Sequence, residues 1–211
     1  MPDLIFLFET KIKAPRVDRI KNILGFASCQ CVDSVAKAGG LALFWKLGVE
    51  LKVVFENKYV ITALVYSDPT DTAWLLILVH GPQYLAKRRK FWNLMADIIS
   101  DFSRVWLLIG DLNSTASSSN KFGSSSNGEA SSRSFRQFSN TVGAIDLGFN
   151  GPKYTWSNRR VGWANIRQRL DHGICNIDWQ SLFPKAGVRH LIAGVRQSNS
   201  SKHPPGVKPR S

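Results

Sequence analysis

The stretch Val105-Trp106-Leu107-Leu108-Ile109-Gly110-Asp111-Leu112-Asn113 is an apolar run that ends abruptly in polar groups. Its length and its branched and aromatic content predict a buried strand over residues 105–109. Because side chains alternate along a strand, we expect Asp111 and Asn113 on one face while Leu112 returns to the core. A carboxylate would then lie beside an amide at the end of a strand.

This pair of side chains suits the hydrolysis of a phosphodiester. A carboxylate can orient an attacking water, and an amide can hold a phosphate oxygen. An ordinary polar turn after a strand would contain the same residues, so this fragment leaves both interpretations open.

Glu9 repeats the arrangement at the end of the apolar run Leu4 to Phe8. A hard divalent ion such as Mg²⁺ binds through one or two carboxylates, waters and substrate phosphate oxygens, and a sparse ligand set of this kind fits Glu9. A surface ion pair with the nearby Lys11 is the alternative.

Further apolar runs predict a core built on sheets, joined in one case by a hairpin turn at residues 56–58. They cover residues 40–45, 49–55, 60–66 and 74–79. Helical periodicity predicts one helix from Tyr84 to Phe102 and another from Ser134 to Val142. The basic side chains at 87–90 fall mostly outside the apolar face of the first helix, which favours a solvated helix face over phosphate contacts.

The composition favours a nucleic-acid partner. Lys and Arg number 28 against 15 Asp and Glu, a net charge of +13, and such basicity attracts polyanions, although a generically basic surface would give the same balance. The odd set Cys29, Cys31 and Cys175 predicts reduced, intracellular thiols, the first two within a strand. The apolar run near the amino terminus is too short for a membrane span. We therefore expect a soluble monomer with no membrane partner.

The chain is predicted to form one domain over residues 1–196. A Ser-rich stretch at 114–132 is expected to be a mobile loop. Residues 197–211, rich in proline and basic residues, are expected to form a disordered tail.

Several blocks, in this order along the chain, resemble the endonuclease domain of plant LINE-type (non-LTR) retrotransposons, in the DNase I-like endonuclease/exonuclease/phosphatase superfamily. The similarity extends from about Pro2 to Asp178. The blocks are Phe8-Glu9-Thr10-Lys11, His80-Gly81-Pro82 with the Lys87-Arg88-Arg89 and Phe91-Trp92 that follow, Gly110-Asp111-Leu112-Asn113, Asp146-Leu147-Gly148-Phe149, Tyr154-Thr155-Trp156-Ser157-Asn158 and Arg169-Leu170-Asp171.

The resemblance implies an α/β fold, a four-layer sandwich of two mixed sheets flanked by helices. It also implies Mg²⁺- or Mn²⁺-dependent nicking of DNA, in the nucleus, to prime reverse transcription. By matching motif, Glu9 is the metal ligand, Asp111 orients the water and Asn113 binds the scissile phosphate. Thr155 and Trp156 belong to a block that approaches the substrate backbone, and Asp171 pairs with the catalytic histidine, which matches His203.

Departures from the family pattern predict weak metal binding and impaired catalysis. Lys202 stands where a metal-site carboxylate belongs, which changes the local charge by two units. His80 replaces a tyrosine whose hydroxyl would reach phosphate, and the imidazole is expected to substitute in part. The family's first strand is expected to be absent, and Pro204-Pro205-Gly206 predicts a degraded last strand.

Two alternative functions remain at this point. The first is a DNA-binding remnant of the same fold that has lost turnover. The second is a phosphatase acting on a phosphoinositide or another small phosphoester, because one fold can carry many different sites.

Overall fold

The structure of the chain is a computed structural model. It describes residues 2–35, 38–102, 105–114, 120–123 and 128–191. Lys202, His203, the predicted last strand and the predicted tail lie outside the described residues.

Twelve strands and four α-helices form the described part of the chain. The helices are α1 (Ala14–Leu24), α2 (Leu85–Phe102), α3 (Gly128–Thr141) and α4 (Ile177–Leu182). The strands are β1 (Leu4–Phe8), β2 (Ser28–Val32), β3 (Leu41–Trp45), β4 (Leu51–Asn57), β5 (Val60–Val65), β6 (Trp74–His80), β7 (Trp106–Asp111), β8 (Lys121–Phe122), β9 (Ile145–Asp146), β10 (Trp156–Ser157), β11 (Arg167–Gln168) and β12 (Asp171–Cys175).

The strands form one large sheet and two small ones. The six-stranded sheet has the order β4-β5-β6-β7-β12-β9, and a second sheet has the order β1-β3-β2. β10, β11 and β8 form the third sheet, a short one. Strands β6 and β7 are parallel and the other pairs of the large sheet are antiparallel, so the large sheet is mixed. The connection between β6 and β7 contains α2, as a parallel pair requires.

Three apolar clusters show that the layers stack as helix, sheet, sheet, helix. One cluster joins α1 to the β1-β3-β2 sheet through Val17, Phe26 and Phe44. A second fills the space between the two sheets and contains Leu43 and Ile61. The third packs α2 and α3 on the outer face of the large sheet, and its largest members are Trp92, Trp106 and Phe135. The predicted four-layer α/β architecture is therefore confirmed.

The predicted strands and the long helix correspond to β1, β3 to β7 and α2, with ends that differ by up to two residues. Cys29 and Cys31 lie in β2 as predicted. The predicted hairpin between β4 and β5 is confirmed, but its turn falls at residues 58 and 59 rather than 56–58, because Asn57 still pairs with Val60. His190 follows an isolated bridge between Asn150 and Arg189.

The predicted loop at 114–132 and the predicted helix at 134–142 also need correction. Strand β8 lies inside the predicted loop. Helix α3 begins at Gly128, so it covers the end of the predicted loop and starts six residues before the predicted helix. The polar composition concealed this helix, in which Phe135 and Phe138 are the buried apolar side chains among those the structure describes.

Helix α1 was not predicted, although its ends carry ordinary signals. Pro15 lies in the first turn, where its missing N–H costs no hydrogen bond. Gly25 ends the helix in the left-handed conformation, with φ of 71°. The short α4 was not predicted either, and Asn176 caps it by accepting a hydrogen bond from the N–H of Trp179.

Candidate active site

Three strand ends of the large sheet bring His80, Asp111 and Asp171 together. The parallel register of β6 and β7 places His80 opposite Asp111. The antiparallel register of β12 and β7 places Asp171 opposite the same residue. The close approach of β6 and β7 requires glycine at position 110, because a side chain there would collide with the carbonyl oxygen of Val79.

Glu9 reaches this group from the other sheet. It follows β1 and has a φ of 52°, a left-handed conformation that is uncommon for a residue with a side chain and that often marks functional sites. The ring of the preceding Phe8 stacks on the imidazole of His80, with ring centres 4.8 Å apart. This stacking links the ends of β1 and β6 across the two sheets.

The His80 imidazole lies between the two carboxylates. Its Nδ1 is 3.8 Å from Glu9 Oε1, and its Nε2 is 4.0 Å from Asp111 Oδ2. The side chain is 9% exposed. Neither contact is a direct hydrogen bond, but both distances are within the range of a Coulombic attraction.

Asn113 lies beside Asp111 by a different route from the one predicted. Its φ is 48°, so the chain has left the extended conformation and turns at this residue. Its backbone N–H donates to Asp111 Oδ1 at 2.8 Å, and its amide Nδ2 donates to the carbonyl oxygen of Gly81 at 2.8 Å. An asparagine tolerates this conformation better than most residues, and the turn, rather than strand alternation, brings the two groups together.

Burial raises the pKa of Asp111 above its usual range, and the nearby charge of Asp171 adds to the rise. The N–H of Asn113 opposes the rise, as do the charges of His80 and Arg88. A carboxylate held in this balance can accept a proton more readily than an exposed aspartate.

Arg88 belongs to the surroundings of the site, and the sequence prediction missed it. The side chain donates to the carbonyl oxygens of Pro82 at 3.2 Å and Gln83 at 3.0 Å. Burial lowers its pKa, and the nearby charge of Asp111 opposes this effect. The basic side chains at 87–90 are therefore not one solvated face. The spacing could have shown it, because Arg88 lies three and four residues before the buried Phe91 and Trp92.

Thr155 holds the start of β12. Its hydroxyl oxygen accepts the backbone N–H of Leu170 at 3.0 Å and of Asp171 at 3.2 Å, which leaves the hydroxyl proton as its own donor. Thr155 and Asp171 line one cavity of about 560 Å³. Trp156, which is 45% exposed, borders a different cleft together with Lys153 and Arg167.

A charged cluster next to Asp171 was also missed. Arg169 Nη2 donates to Asp146 Oδ1 at 2.7 Å, and His172 Nδ1 lies 3.2 Å from the other oxygen of the same carboxylate. Burial alone would raise the pKa of Asp146, but the hydrogen bonds from His172 and Arg169 outweigh it and hold that pKa well below its usual range. His172 is buried, and this cluster holds both neighbours of the Leu170-Asp171 pair.

Within the described ranges, no group of three or more His, Cys, Asp or Glu side chains is arranged to hold a metal ion. The carboxylate of Glu9, 39% exposed beside the Asp111 cluster, nevertheless fits a hard cation such as Mg²⁺. This ion commonly takes one or two protein carboxylates and completes its shell with water and substrate phosphate. The donor set is thus compatible with a sparse magnesium site.

The structure brings together Glu9, His80, Asp111, Asn113 and Asp171, as the sequence predicts for a single site. Thr155 adjoins Asp171 and lines both the cavity at Asp171 and the neighbouring basic cleft, which Trp156 borders. No helix in the described part of the chain is long and apolar enough to cross a membrane.

Comparison with known proteins supplies a family and a fold. The sequence profile of the Endonuclease/Exonuclease/phosphatase family matches residues 1–172. No curated protein matches the chain.

Solved structures similar to this chain include an AP endonuclease from Leishmania major, with 16% identity, a TM-score of 0.64, and 85% of this chain and 71% of that chain covered. The endonuclease domain of TRAS1, a telomere-specific non-LTR retrotransposon, has 10% identity, a TM-score of 0.55, and coverage of 82% and 85%. A 3′ phosphatase from Neisseria, bound to a product DNA hairpin, has 16% identity, a TM-score of 0.55, and coverage of 84% and 77%. At these identities the likeness concerns the fold.

Proposed function

The chain belongs to the Endonuclease/Exonuclease/phosphatase family, and on that premise we propose that it is a divalent-metal-dependent endonuclease domain acting on DNA. The observation that carries the proposal is the convergence of Glu9, Asp111, Asn113 and Asp171 around the buried His80. The order of the motif blocks, together with the fold of the TRAS1 endonuclease, supports an origin in a non-LTR retrotransposon of the plant LINE type. A nuclear location would follow from such a substrate.

Each side chain of the site has a role in this proposal. Glu9 would hold a Mg²⁺ or Mn²⁺ ion, which would supply positive charge beside the scissile phosphate. Asp111 orients the attacking water and takes its proton, as its raised pKa favours. The Asn113 amide keeps one N–H for a phosphate oxygen after donating the other to Gly81.

Three further residues complete the proposed mechanism. Asp171 would pair with the imidazole of His203, fixing its orientation and stabilising its charged form. His80 would contact phosphate in place of the family's tyrosine, while Thr155 would approach the substrate backbone with its remaining hydroxyl proton. Trp156 would contact DNA at the basic cleft.

The test of the proposal is nicking of supercoiled plasmid with Mg²⁺ or Mn²⁺ present. We expect Asp111→Asn and Asn113→Ala each to lower the nicking rate by on the order of 10²-fold or more, because both act on the reacting groups. The exposed carboxylate of Asp101, on α2, offers a matched control, and Asp101→Asn should nick at the rate of the unaltered chain. Equal rates in all the proteins would overturn the proposal.

The second part of the proposal is that activity is impaired by Lys202. Replacing this lysine with aspartate restores a carboxylate where a cation stood, which should strengthen metal binding by opposite charges at short range. We expect Lys202→Asp to raise the nicking rate and to increase the shift of Tm that Mg²⁺ produces. A variant with unchanged Tm shift and unchanged rate would place the cause of any impairment elsewhere.

A DNA-binding remnant without turnover is the second candidate. It is favoured by the net charge of +13. This candidate predicts DNA binding of equal strength in EDTA and in Mg²⁺, with no nicking by any variant. Nicking that depends on Asp111 would exclude it.

A further inference from the structure

A groove on the outer side of α2 is not used by the proposed catalytic site. It lies between the turn that joins β4 to β5 and the first three turns of α2, and has a volume of about 800 Å³. We call it the α2 groove. Its lining includes Lys58, Tyr59, Lys87, Lys90 and Leu94.

The floor of the α2 groove is apolar and well supported. Tyr59 and Leu94 pack against the apolar cluster that joins α2 and α3 to the large sheet. The Tyr59 ring also makes an edge contact with the buried Phe91, with ring centres 5.9 Å apart. A floor held in this way keeps its shape when a ligand is absent, which lowers the entropic cost of binding.

The rim of the α2 groove carries three ammonium groups, those of Lys58, Lys87 and Lys90. Within the described part of the chain, no carboxylate lies at ion-pair distance from any of them. Lys58 instead lies over the Tyr59 ring at 5.1 Å. Asp97 is the single carboxylate among the described lining residues, so the groove has an excess of positive charge.

Amide groups lie beside the cations. Asn57 accepts the N–H of Tyr59 through its side-chain oxygen at 2.8 Å, which leaves its amide N–H groups available. Asn93 lines the same groove and is exposed. Amide and carboxylate groups at this position can hydrogen-bond the polar edge of a planar base.

We propose that the α2 groove binds one nucleotide unit. Its phosphate would contact the ammonium groups of Lys87 and Lys90, with Lys58 nearby. Its base would lie on the apolar floor, with Tyr59 as the aromatic contact. Aromatic contacts with bases and basic grooves that follow the backbone are the two recurring elements of single-stranded nucleic-acid sites.

The unit can come from two sources, a free nucleotide or an unpaired nucleotide of a DNA strand. The second source would extend the path of DNA across the molecule, because α2 contributes side chains both to the groove and to the surroundings of the catalytic site. Arg88 faces Asp111 from this helix, while Lys87 and Lys90 face the groove. The carbonyl oxygen of Tyr59 accepts the backbone N–H of His80 at 2.8 Å, so the two sites share one edge of the large sheet.

The experiment measures binding of fluorescently labelled dTMP and of a labelled ten-nucleotide oligo(dT) to the full chain in EDTA. The absence of divalent metal makes the result independent of catalysis and therefore of the proposed function. The double variant Lys87→Gln/Lys90→Gln should lose at least tenfold in affinity for whichever probe the groove accepts. Tyr59→Leu, which removes the ring but no charge, should lose about fivefold.

The matched control is Lys52→Gln/Arg89→Gln, which removes the same charge from exposed positions that do not line the groove. We expect its affinity to stay within twofold of the unaltered chain. Binding of dTMP assigns the groove to a free nucleotide, and binding of the oligonucleotide alone assigns it to a DNA strand. Equal losses in the groove variant and the control, or no binding of either probe, would overturn the proposal.

Discussion

At the scale of single residues, the buried charges determine how stability and function are connected. Burial, together with the nearby charge of Asp171, raises the pKa of Asp111, so the folded protein destabilises the ionised form of this carboxyl relative to water. The stability contributed by such a group is present below the pKa of the unfolded chain and is lost as pH rises through the folded pKa. Ionisation of Asp111 therefore lowers the free energy of unfolding as pH rises.

Asp111→Asn should raise Tm at neutral pH while it abolishes nicking. The amide has nearly the same shape, and its oxygen can still accept the N–H of Asn113. The gain in Tm should shrink as pH falls, because the aspartate of the unaltered chain then becomes protonated and the buried charge is lost. Thermal melts of both proteins between pH 4 and 8 measure this. A lower Tm for Asp111→Asn at neutral pH would contradict the expectation.

The stability contributed by Asp146 depends on pH in the opposite direction. Its pKa is held below the usual range, so it contributes stability above the unfolded pKa, and that stability is lost as pH falls. Asp146→Asn should lower the free energy of unfolding at pH 7 by about 2 kcal/mol, less than the 3–5 kcal/mol typical of a fully buried pair, because this carboxylate is 36% exposed. Denaturant unfolding at pH 7 and at about pH 2.5 measures the loss, because the contribution fades only below the unfolded pKa of about 4. Asp178→Asn, on the short α4, is the control, and a loss that does not diminish at the lower pH would contradict the assignment.

At the scale of elements, the hairpin of β10 and β11 carries exposed side chains in its connecting segment. Its short strands pair at Trp156 with Gln168 and at Ser157 with Arg167. Asn158 braces the connection by donating to the carbonyl oxygen of Ala164 at 2.7 Å and accepting the N–H of Ile166 at 3.0 Å. A braced loop holds its exposed side chains in place, and Trp163 is fully exposed at its end.

Trp163→Ala should weaken DNA binding by about tenfold without changing Tm. An indole with no packing partner adds nothing to the core, whereas stacking on a base or inserting beside one contributes about 1–3 kcal/mol. Gel-shift titration in EDTA and thermal melting measure the two quantities. Leu47→Ala removes another apolar side chain that is 92% exposed, and it should leave DNA affinity unchanged. If Trp163→Ala and Leu47→Ala bind DNA with equal affinity, Trp163 does not contact DNA.

At the scale of the whole molecule, the net charge of +13 acts as a field rather than as a set of contacts. Arginines and lysines are distributed over the α2 groove, the cleft beside Trp156 and the hairpin. Some of these charges would be neutralised by phosphates on binding, with release of counterions from the DNA.

DNA affinity should therefore fall steeply with salt. With about five phosphate contacts, the slope of log affinity against log salt would be about −4.5, which corresponds to a loss on the order of 500-fold between 50 and 200 mM. Fluorescence anisotropy across a salt series measures the slope. Removing two groove lysines should reduce its magnitude by about two if both contact phosphate. A slope near zero would exclude phosphate contacts as the source of binding.

The sequence by itself indicated the strands and the candidate site residues. Apolar periodicity is local, so β1, β3 to β7 and α2 could be located from composition and spacing, and the polar groups at the ends of β1 and β7 pointed to Glu9, Asp111 and Asn113. The family resemblance of the motif blocks added His80, Asp171 and the four layers. Tertiary structure decided the rest, because the deciding contacts join residues far apart in the chain: the stacking of Phe8 on His80, the burial of Arg88, the cluster of Asp146 with Arg169 and His172, and the α2 groove. A residue's partners across two sheets depend on register and layer packing, and local sequence patterns do not encode either of these.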